Sequence, residues 1–289
     1  MERRITGKTG LMGLIGSPVG HSGSPAMYNY SFEKLGLDYA YLAFDIKVEE
    51  VKKAINAIKT FRMRGCNVTM PCKTEAVKYM DELSPAARII GAVNTIVNED
   101  GKLIGHITDG QGFVDSLRDH GVEIVGKKIT VCGGGGAATA IQVQCALEGA
   151  REISIFNIKD GFFERTVETA DKIKQEKPDC VVNVFDIADL ETMKKEMADS
   201  DIFANATIVG MKPMEGETVV KDTAMFHPGL VVVDAVYNPK ETRMLKEAKE
   251  AGCTCINGQG MLLWQGAAAF KLYTGLEMPV QEVKELYFS

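Results

Sequence analysis

The chain has 289 residues, 45% of them hydrophobic and 25% charged, with a formal net charge of −6 at pH 7. That length suits two α/β domains rather than one small core, since domains run about 100–200 residues, and the composition can fill a core without metal or disulfide support. The acidic balance argues against nucleic acid or an anionic membrane as a partner, so an anionic ligand needs a local cluster of donors.

Leu11–Gly16 is a short apolar run closed by Ser17-Pro18 and reads as a strand ending in a loop. Ser24-Pro25 then opens a helix, with Ser24 as its N-cap, that ends near Gly36. Tyr39–Ile46 alternates as a second strand, and Val51, Ile55, Ile58 and Phe61 recur at helical spacing. Gly65–Met70 is a third strand, followed by Pro71 and a helix through Leu83. Asn98-Glu99-Asp100-Gly101 turns a hairpin between two short strands within Thr95–Leu103.

From residue 127 the rhythm changes. Lys127–Cys132, Glu152–Phe156, Cys180–Phe185, Ile202–Ala206 and Leu230–Ala235 are near-continuous apolar strands with helices or loops between them. Such a pattern predicts a parallel sheet covered on both faces. Gly260–Gly275 reads as one helix, with Met261, Leu262, Trp264, Ala268 and Leu272 on its apolar side.

The seven cysteines, at 66, 72, 132, 145, 180, 253 and 255, make no CxxC pair, and no His-x3–5-His accompanies them. A zinc site is therefore not expected, and thiols inside apolar strands act as small hydrophobes in a reducing compartment. The N-terminal apolar run is too short for a signal-peptide core, and nothing approaches the roughly 18 apolar residues of a membrane span. The expectation is a cytoplasmic protein without metal.

In TVCGGGGAATAI, Gly133, Gly135 and Ala138 stand in the register G-x-G-x-x-A, directly after a strand and opening a helix. That context is what a dinucleotide fingerprint requires: a tight turn, a close backbone approach to pyrophosphate, and a small residue for helix–strand packing. The N–H groups at the helix start then bind phosphate. Outside such a context a glycine run is more often a plain loop. At the end of the following strand, Asn157-Ile158-Lys159-Asp160 offers a carboxylate for an adenine-ribose 2′-OH, whereas Lys159 would suit a 2′-phosphate.

Three polar clusters occupy the first half. His21-Ser22-Gly23-Ser24-Pro25 puts two hydroxyls beside a helix start, which suits a carboxylate or serves only as a cap. In Asn67-Val68-Thr69-Met70-Pro71-Cys72-Lys73, strand alternation sends Asn67 and Thr69 to one side, and Lys73 falls in the first turn of a helix. A cation is disfavoured at a helix start, although a surface lysine remains the simpler reading. Gly91-Ala92-Val93-Asn94-Thr95 is followed by Thr108-Asp109-Gly110 at the crossover into the second half. Asp109 and Lys73 together would meet the requirements of a general acid/base pair.

In this order the stretches SPVGHSGSP, NVTMPCK, GAVNT, TDGQGF, CGGGGAA, NATIVGM, DAVYNP and GQGMLLWQGAAAF resemble the shikimate dehydrogenase family, from about residue 11 to 275. FNIKDGFFER and CVVNVFDIADL look more like its quinate/shikimate dehydrogenase branch. The resemblance implies that Ser22, Ser24, Thr69 and Tyr237 bind a substrate carboxylate. It implies that Asn94, Asp109 and Gln265 hold ring hydroxyls, with Lys73 at the reacting oxygen. Gly133, Gly135, Gly136 and Ala137 would then carry the cofactor phosphates, Asn157, Asp160 and Phe162 the adenosine end, and Gly258 and Met261 the nicotinamide end.

Two positions depart from the family pattern. Ile107 stands where many members have Asn before Thr-Asp-Gly, and Ile158 stands where Arg usually grips the 2′-phosphate of NADP. The second departure favours NAD, with NADP as the alternative.

The expected architecture is two α/β domains. Residues 1–110, completed by the C-terminal helices of 259–289, form a substrate domain with a mixed sheet, and residues 111–258 form a Rossmann dinucleotide-binding domain. The expected function is reversible hydride transfer between C3 of shikimate or quinate and NAD(P). The rivals are an NADP-dependent biosynthetic shikimate dehydrogenase, an enzyme for a shikimate analogue, and a non-catalytic nicotinamide or metabolite sensor. Partners would be small molecules, with no nucleic acid and no membrane, and a homodimer is compatible with this reading.

Overall fold

The computed structural model describes residues 5–161 and 163–288. The chain divides into two compact units, one running to Thr108 and resuming at Leu263, the other spanning Asp109–Leu262.

The first unit contains β1 (Gly10–Gly16), α1 (Ser24–Lys34), β2 (Tyr39–Asp45), α2 (Val51–Thr60), β3 (Gly65–Val68), α3 (Lys73–Ala76), β4 (Glu82–Leu83), α4 (Pro85–Ile90), β5 (Thr95–Glu99) and β6 (Lys102–His106). Its sheet runs β2-β1-β3-β5-β6-β4 and is mixed: β1 is parallel to β2 and β3, whereas β5 is antiparallel to β3 and β6. The hairpin between β5 and β6 turns through Asp100 at φ 52° and Gly101 at φ 99°. Both sit in the left-handed region that a two-residue turn of matching twist demands. α4 takes Ser84 as its N-cap, Pro85 in its first turn and Gly91 at φ 70° as its C-cap.

The second unit contains α5 (Asp109–Asp119), β7 (Lys128–Cys132), α6 (Gly136–Leu147), β8 (Glu152–Asn157), α7 (Phe163–Glu176), β9 (Val181–Asp186), α8 (Leu190–Ala198), β10 (Ile202–Asn205), β11 (Val231–Asp234), α9 (Arg243–Glu250) and β12 (Thr254–Ile256). Every pairing is parallel in the order β12-β11-β10-β7-β8-β9. Order reverses between β7 and β10, which opens a crevice at the carboxyl ends of those strands. Two last helices follow, α10 (Gln259–Thr274), which runs from the second unit into the first, and α11 (Val280–Tyr287).

Several expectations change. Ser24 is the first helical residue, not the cap: the N-cap is Gly23, and the Ser22 hydroxyl accepts the Ser24 N–H at 3.2 Å. The helix expected through Leu83 is the single turn α3 plus a 3-10 turn at Val77–Tyr79, because the chain then enters β4 beside β6. Phe61 lies just beyond α2 and is 66% exposed, although Val51, Ile55 and Ile58 are buried as their spacing predicts. On α10 the buried face is Leu263, Ala267, Phe270 and Tyr273, and Leu262 is exposed. The helix is apolar nearly all round, so periodicity could not choose its face. Packing chooses it. Phe270 and Tyr273 join Tyr28, Phe32 and Tyr41 in the core, where the Tyr28 and Tyr41 rings stack at 4.4 Å.

All seven cysteines are free thiols. Among the described residues no helix is long and apolar enough to cross a membrane, and no group of three or more His, Cys, Asp or Glu could hold a metal ion.

Candidate functional site

In the first unit, strand register collects the polar clusters at one edge of the sheet. Ile15 pairs with Val68, Asn67 with Thr95, and Thr95 with His106. The ends of β1, β3 and β6 and the start of β5 therefore lie together. Ser22 and Ser24 follow β1, Thr69 and Lys73 follow β3, Asn94 precedes β5, and Thr108 follows β6. Backbone bonds continue the sheet beyond its strands: Ser17 N–H donates to Met70 O at 3.0 Å, Thr69 N–H to Ile15 O at 2.9 Å, and Val68 N–H to Asn94 O at 2.8 Å. Val93 N–H donates to Lys73 O at 2.9 Å, which ties the lysine backbone to the segment carrying Asn94.

This edge stands on a buried polar lattice. Tyr41 donates its hydroxyl to Asn67 Oδ1 at 2.8 Å, and Asn67 Nδ2 donates to Asn94 O and to Thr95 Oγ1. Asn94 Oδ1 accepts Thr108 N–H at 2.9 Å and the Thr95 hydroxyl at 2.9 Å, while its Nδ2 donates to Thr108 Oγ1. Satisfied amides of this kind hold one rotamer in a low-dielectric interior. Burial pushes the Tyr41 phenol well above its ordinary value, so it remains a neutral donor.

Ser22, Ser24, Thr69 and Lys73 are half-buried around this base, and Lys73 is the first residue of α3. With only four residues, α3 has little macrodipole to oppose a cation. Asp109 opens α5, directly after Thr108. Gln265 is half-buried on α10, where Gly266 lets the helix approach α1. A Cβ on Gly266 would lie 2.4 Å from Met27 Cε, and the Tyr28 hydroxyl donates to Gly266 O at 3.0 Å.

The glycine loop of the second unit separates into glycines needed for packing and glycines that face open space. Gly133 sits at φ 122°, and its Cβ would meet Ala206 O at 2.8 Å. Gly134 would drive a Cβ to within 2.3 Å of Asn157 Nδ2 and 2.4 Å of Thr166 Oγ1, which bond each other at 3.0 Å. Gly135 and Gly136 meet nothing within 4 Å, and with Ala137 they are exposed at the start of α6. Free backbone donors at a helix start beside room for a ligand fit a dinucleotide pyrophosphate.

Gly135, Gly136 and Ala137 line a crevice of about 490 Å³ together with Thr207, Ile208, Met211 and Tyr237. One cation, Lys212, and one anion, Glu215, complete the charged lining. Tyr237 is 51% exposed here, on the same wall system as the glycine loop.

Behind that crevice lies a network absent from the sequence reading. Asn205 ends β10 and Asp234 ends β11, side by side in register. Asn205 Nδ2 donates to Asp234 Oδ1 and to Val209 O, both at 3.0 Å. Asp234 Oδ1 also accepts Val236 N–H at 3.0 Å, and Oδ2 accepts the Thr242 hydroxyl at 2.6 Å. Burial raises the Asp234 carboxyl above its ordinary value, opposed by the bonds from Thr242, Val236 and Asn205. A polar residue closing an otherwise apolar strand, twice in succession, is the signal that could have found it.

The remaining residues expected at a cofactor are distributed. Asn157 is buried at the end of β8, and Asp160 is exposed in the loop after it. Lys159 lies 3.9 Å from Asp186 and over the Phe163 ring, and Ile158 is 60% exposed. Phe162 lies outside the described residues. Gly258 is buried where a Cβ would strike Ala235 O at 2.2 Å, and Met261 is half-buried in the first turn of α10.

Known proteins resemble this chain in sequence and in fold. Residues 14–96 match the shikimate dehydrogenase substrate binding domain, and residues 258–286 match the shikimate 5′-dehydrogenase C-terminal domain. A shikimate dehydrogenase (NADP(+)) of Listeria monocytogenes serotype 4b (strain F2365) is 54% identical over 288 residues, covering 100% of this chain and 99% of its own length. A quinate/shikimate dehydrogenase of Escherichia coli O17:K52:H18 is 46% identical over 282 residues, covering 98% of each chain. Among solved structures, shikimate 5-dehydrogenase from Listeria monocytogenes in complex with shikimate and NAD superposes with a TM-score of 0.96 at 53% identity, covering 99% of each chain.

Proposed function

The chain belongs to the shikimate dehydrogenase family and is an oxidoreductase acting on a CH–OH group; from that premise we propose that it oxidises C3 of shikimate, and of quinate, reversibly with NAD. The observation that carries the cofactor half is the open pair Gly135–Gly136 at the head of the crevice. The acid half rests on the convergence of Ser22, Ser24, Thr69, Lys73 and Asn94 at one sheet edge.

In this reading the bound dinucleotide supplies the hydride acceptor, or the donor in reverse. Lys73 Nζ takes the proton of the C3 hydroxyl as the carbonyl forms and returns it in the other direction, working with Asp109 as an acid/base pair. Ser22, Ser24, Thr69 and Tyr237 donate to the carboxylate, and Asn94, Asp109 and Gln265 hold ring hydroxyls. Gly133, Gly135, Gly136 and Ala137 take the pyrophosphate, Asn157, Asp160 and Phe162 the adenosine end, and Gly258 and Met261 the nicotinamide end. Fixing both reactants in one orientation removes much of the entropic barrier.

For the cofactor, Asp160 suits a ribose 2′-OH, the exposed apolar Ile158 offers a 2′-phosphate nothing, and Lys159 already faces Asp186. A second reading, NADP-dependent reduction of 3-dehydroshikimate, is favoured by the relatives named shikimate dehydrogenase (NADP(+)). Absorbance at 340 nm with NAD⁺ or NADP⁺, and shikimate or quinate, separates them. NAD⁺-dependent turnover well above NADP⁺ is expected. Turnover confined to NADP⁺ and shikimate replaces this reading with the second, and silence in all four sends the chain to an analogue substrate or to a sensor role.

A further inference from the structure

We propose that Asp234 is a positioning residue that ties the two walls of the dinucleotide crevice together, so that its hydrogen bonds set dinucleotide affinity. The inference rests on the crevice being the dinucleotide site.

One wall is the segment after β10, with Ala206, Thr207, Ile208 and Met211 in the lining; the other is the segment after β11, with Ala235, Val236 and Tyr237. Backbone pairing reaches only the first residues of these segments, where Ala206 N–H donates to Cys132 O at 2.9 Å and Ala235 N–H to Asn205 O at 2.8 Å, so farther out the shape of each wall depends on side-chain bonds as well. Asn205 braces the first wall. Its Oδ1 accepts Thr207 N–H at 3.1 Å and the Thr207 hydroxyl at 2.7 Å, its Nδ2 reaches Val209 O, and Val209 N–H returns to Thr207 Oγ1 at 3.0 Å. Asp234 braces the second, through Val236 N–H and through Thr242, whose hydroxyl also accepts Leu245 N–H to cap α9.

The side-chain bridge between the two braces is the bond from Asn205 Nδ2 to Asp234 Oδ1. Gly210, at φ 103°, then brings the far end of the first wall against Thr242, where a Cβ would lie 3.2 Å from Thr242 Cγ2. Asp234 has no exposed surface, and each carboxylate oxygen is occupied by these wall donors. An aspartate spent wholly on two ligand-lining loops, with none of its surface in the crevice, acts through them. A leucine there would fill the space and leave Val236 N–H, the Asn205 amide and the Thr242 hydroxyl without their acceptor.

The test uses the full chain and two pairs of variants. Thr242→Val removes one donor from Asp234 while nearly conserving volume, and Thr242→Ser keeps the hydroxyl. Asp234→Asn keeps Oδ1 for Val236 and Asn205 but turns an NH2 toward Thr242, and Asp234→Ala removes all of it. NAD is titrated calorimetrically into each, and amide exchange is followed at Val236 and Thr207. Thr242→Val should bind NAD about tenfold more weakly, with faster exchange at Val236. Thr242→Ser should stay within about twofold, and Asp234→Asn should fall between wild type and Asp234→Ala. In turnover, the KM for the dinucleotide should rise more than kcat falls. If Thr242→Val and Asp234→Asn lower Tm yet bind NAD like wild type, the network is structural only and the proposal fails. If the wild-type chain binds neither NAD nor NADP, the reading of the crevice fails first and this inference goes with it.

Discussion

The two candidate sites are built from different material. In the second unit the glycine-loop side of the crevice is made of backbone: Gly135 and Gly136 contribute open space and N–H groups, and Gly133 and Gly134 contribute the absence of a Cβ where Ala206 and Asn157 must pass. In the first unit the edge is made of side chains, delivered by β1, β3, β5 and β6 onto the lattice of Tyr41, Asn67, Thr95 and Asn94. A backbone site is local and can be read from one stretch of sequence. A side-chain site is non-local, so each member looks ordinary until the strands pair.

That contrast predicts different responses to substitution. Lys73→Ala should carry the largest effect, a fall in kcat of about 10²–10⁴ with dinucleotide binding intact, because it removes the group that exchanges a proton with the reacting hydroxyl. Retention of near-full kcat would reduce Lys73 to a binding residue and make the first unit's edge a binding surface alone.

Within the glycine loop the effects should split by position. Gly134→Ala should destabilise the fold by about 1–3 kcal/mol in urea denaturation, since its Cβ must displace the Asn157–Thr166 pair. Gly135→Ala should change stability by less than about 1 kcal/mol and instead raise the dinucleotide KM, because its Cβ enters space left for the ligand. Equal behaviour of the two variants would erase the distinction between packing and ligand-facing glycines.

The smallest effect is expected at Ser22→Ala. Removing one donor of a shared carboxylate site should raise the KM for shikimate about five- to tenfold with little change in kcat. The Ser22 hydroxyl also accepts Ser24 N–H, so helix content followed by circular dichroism separates a loss of binding from fraying of α1. An unchanged KM removes Ser22 from the carboxylate site.

The alternation of strand and helix after residue 127, the glycine loop between β7 and α6, and the Asp100-Gly101 turn were all legible in the sequence. Each follows from a local rule: hydrophobic period, helix start, or left-handed backbone. What the sequence did not decide is equally specific. The one-turn length of α3 is imposed by the pairing of β4 with β6, which leaves no room for the longer helix its residues would accept. The inward face of α10 is chosen by Tyr28, Phe32 and Tyr41, which lie more than two hundred residues away in sequence.

Asn205 and Asp234 become a pair only because β10 lies beside β11 in the sheet, so their partnership has no expression in either stretch alone. By itself, then, the sequence determined the alternating elements, the glycine loop between strand and helix and the list of polar residues available for chemistry, because these depend on neighbours a few positions apart. Only the tertiary structure decided which of those residues stand on one edge, which glycines face open space and which carboxylate is buried behind the crevice, because strand pairing and core packing join segments that the chain itself keeps far apart.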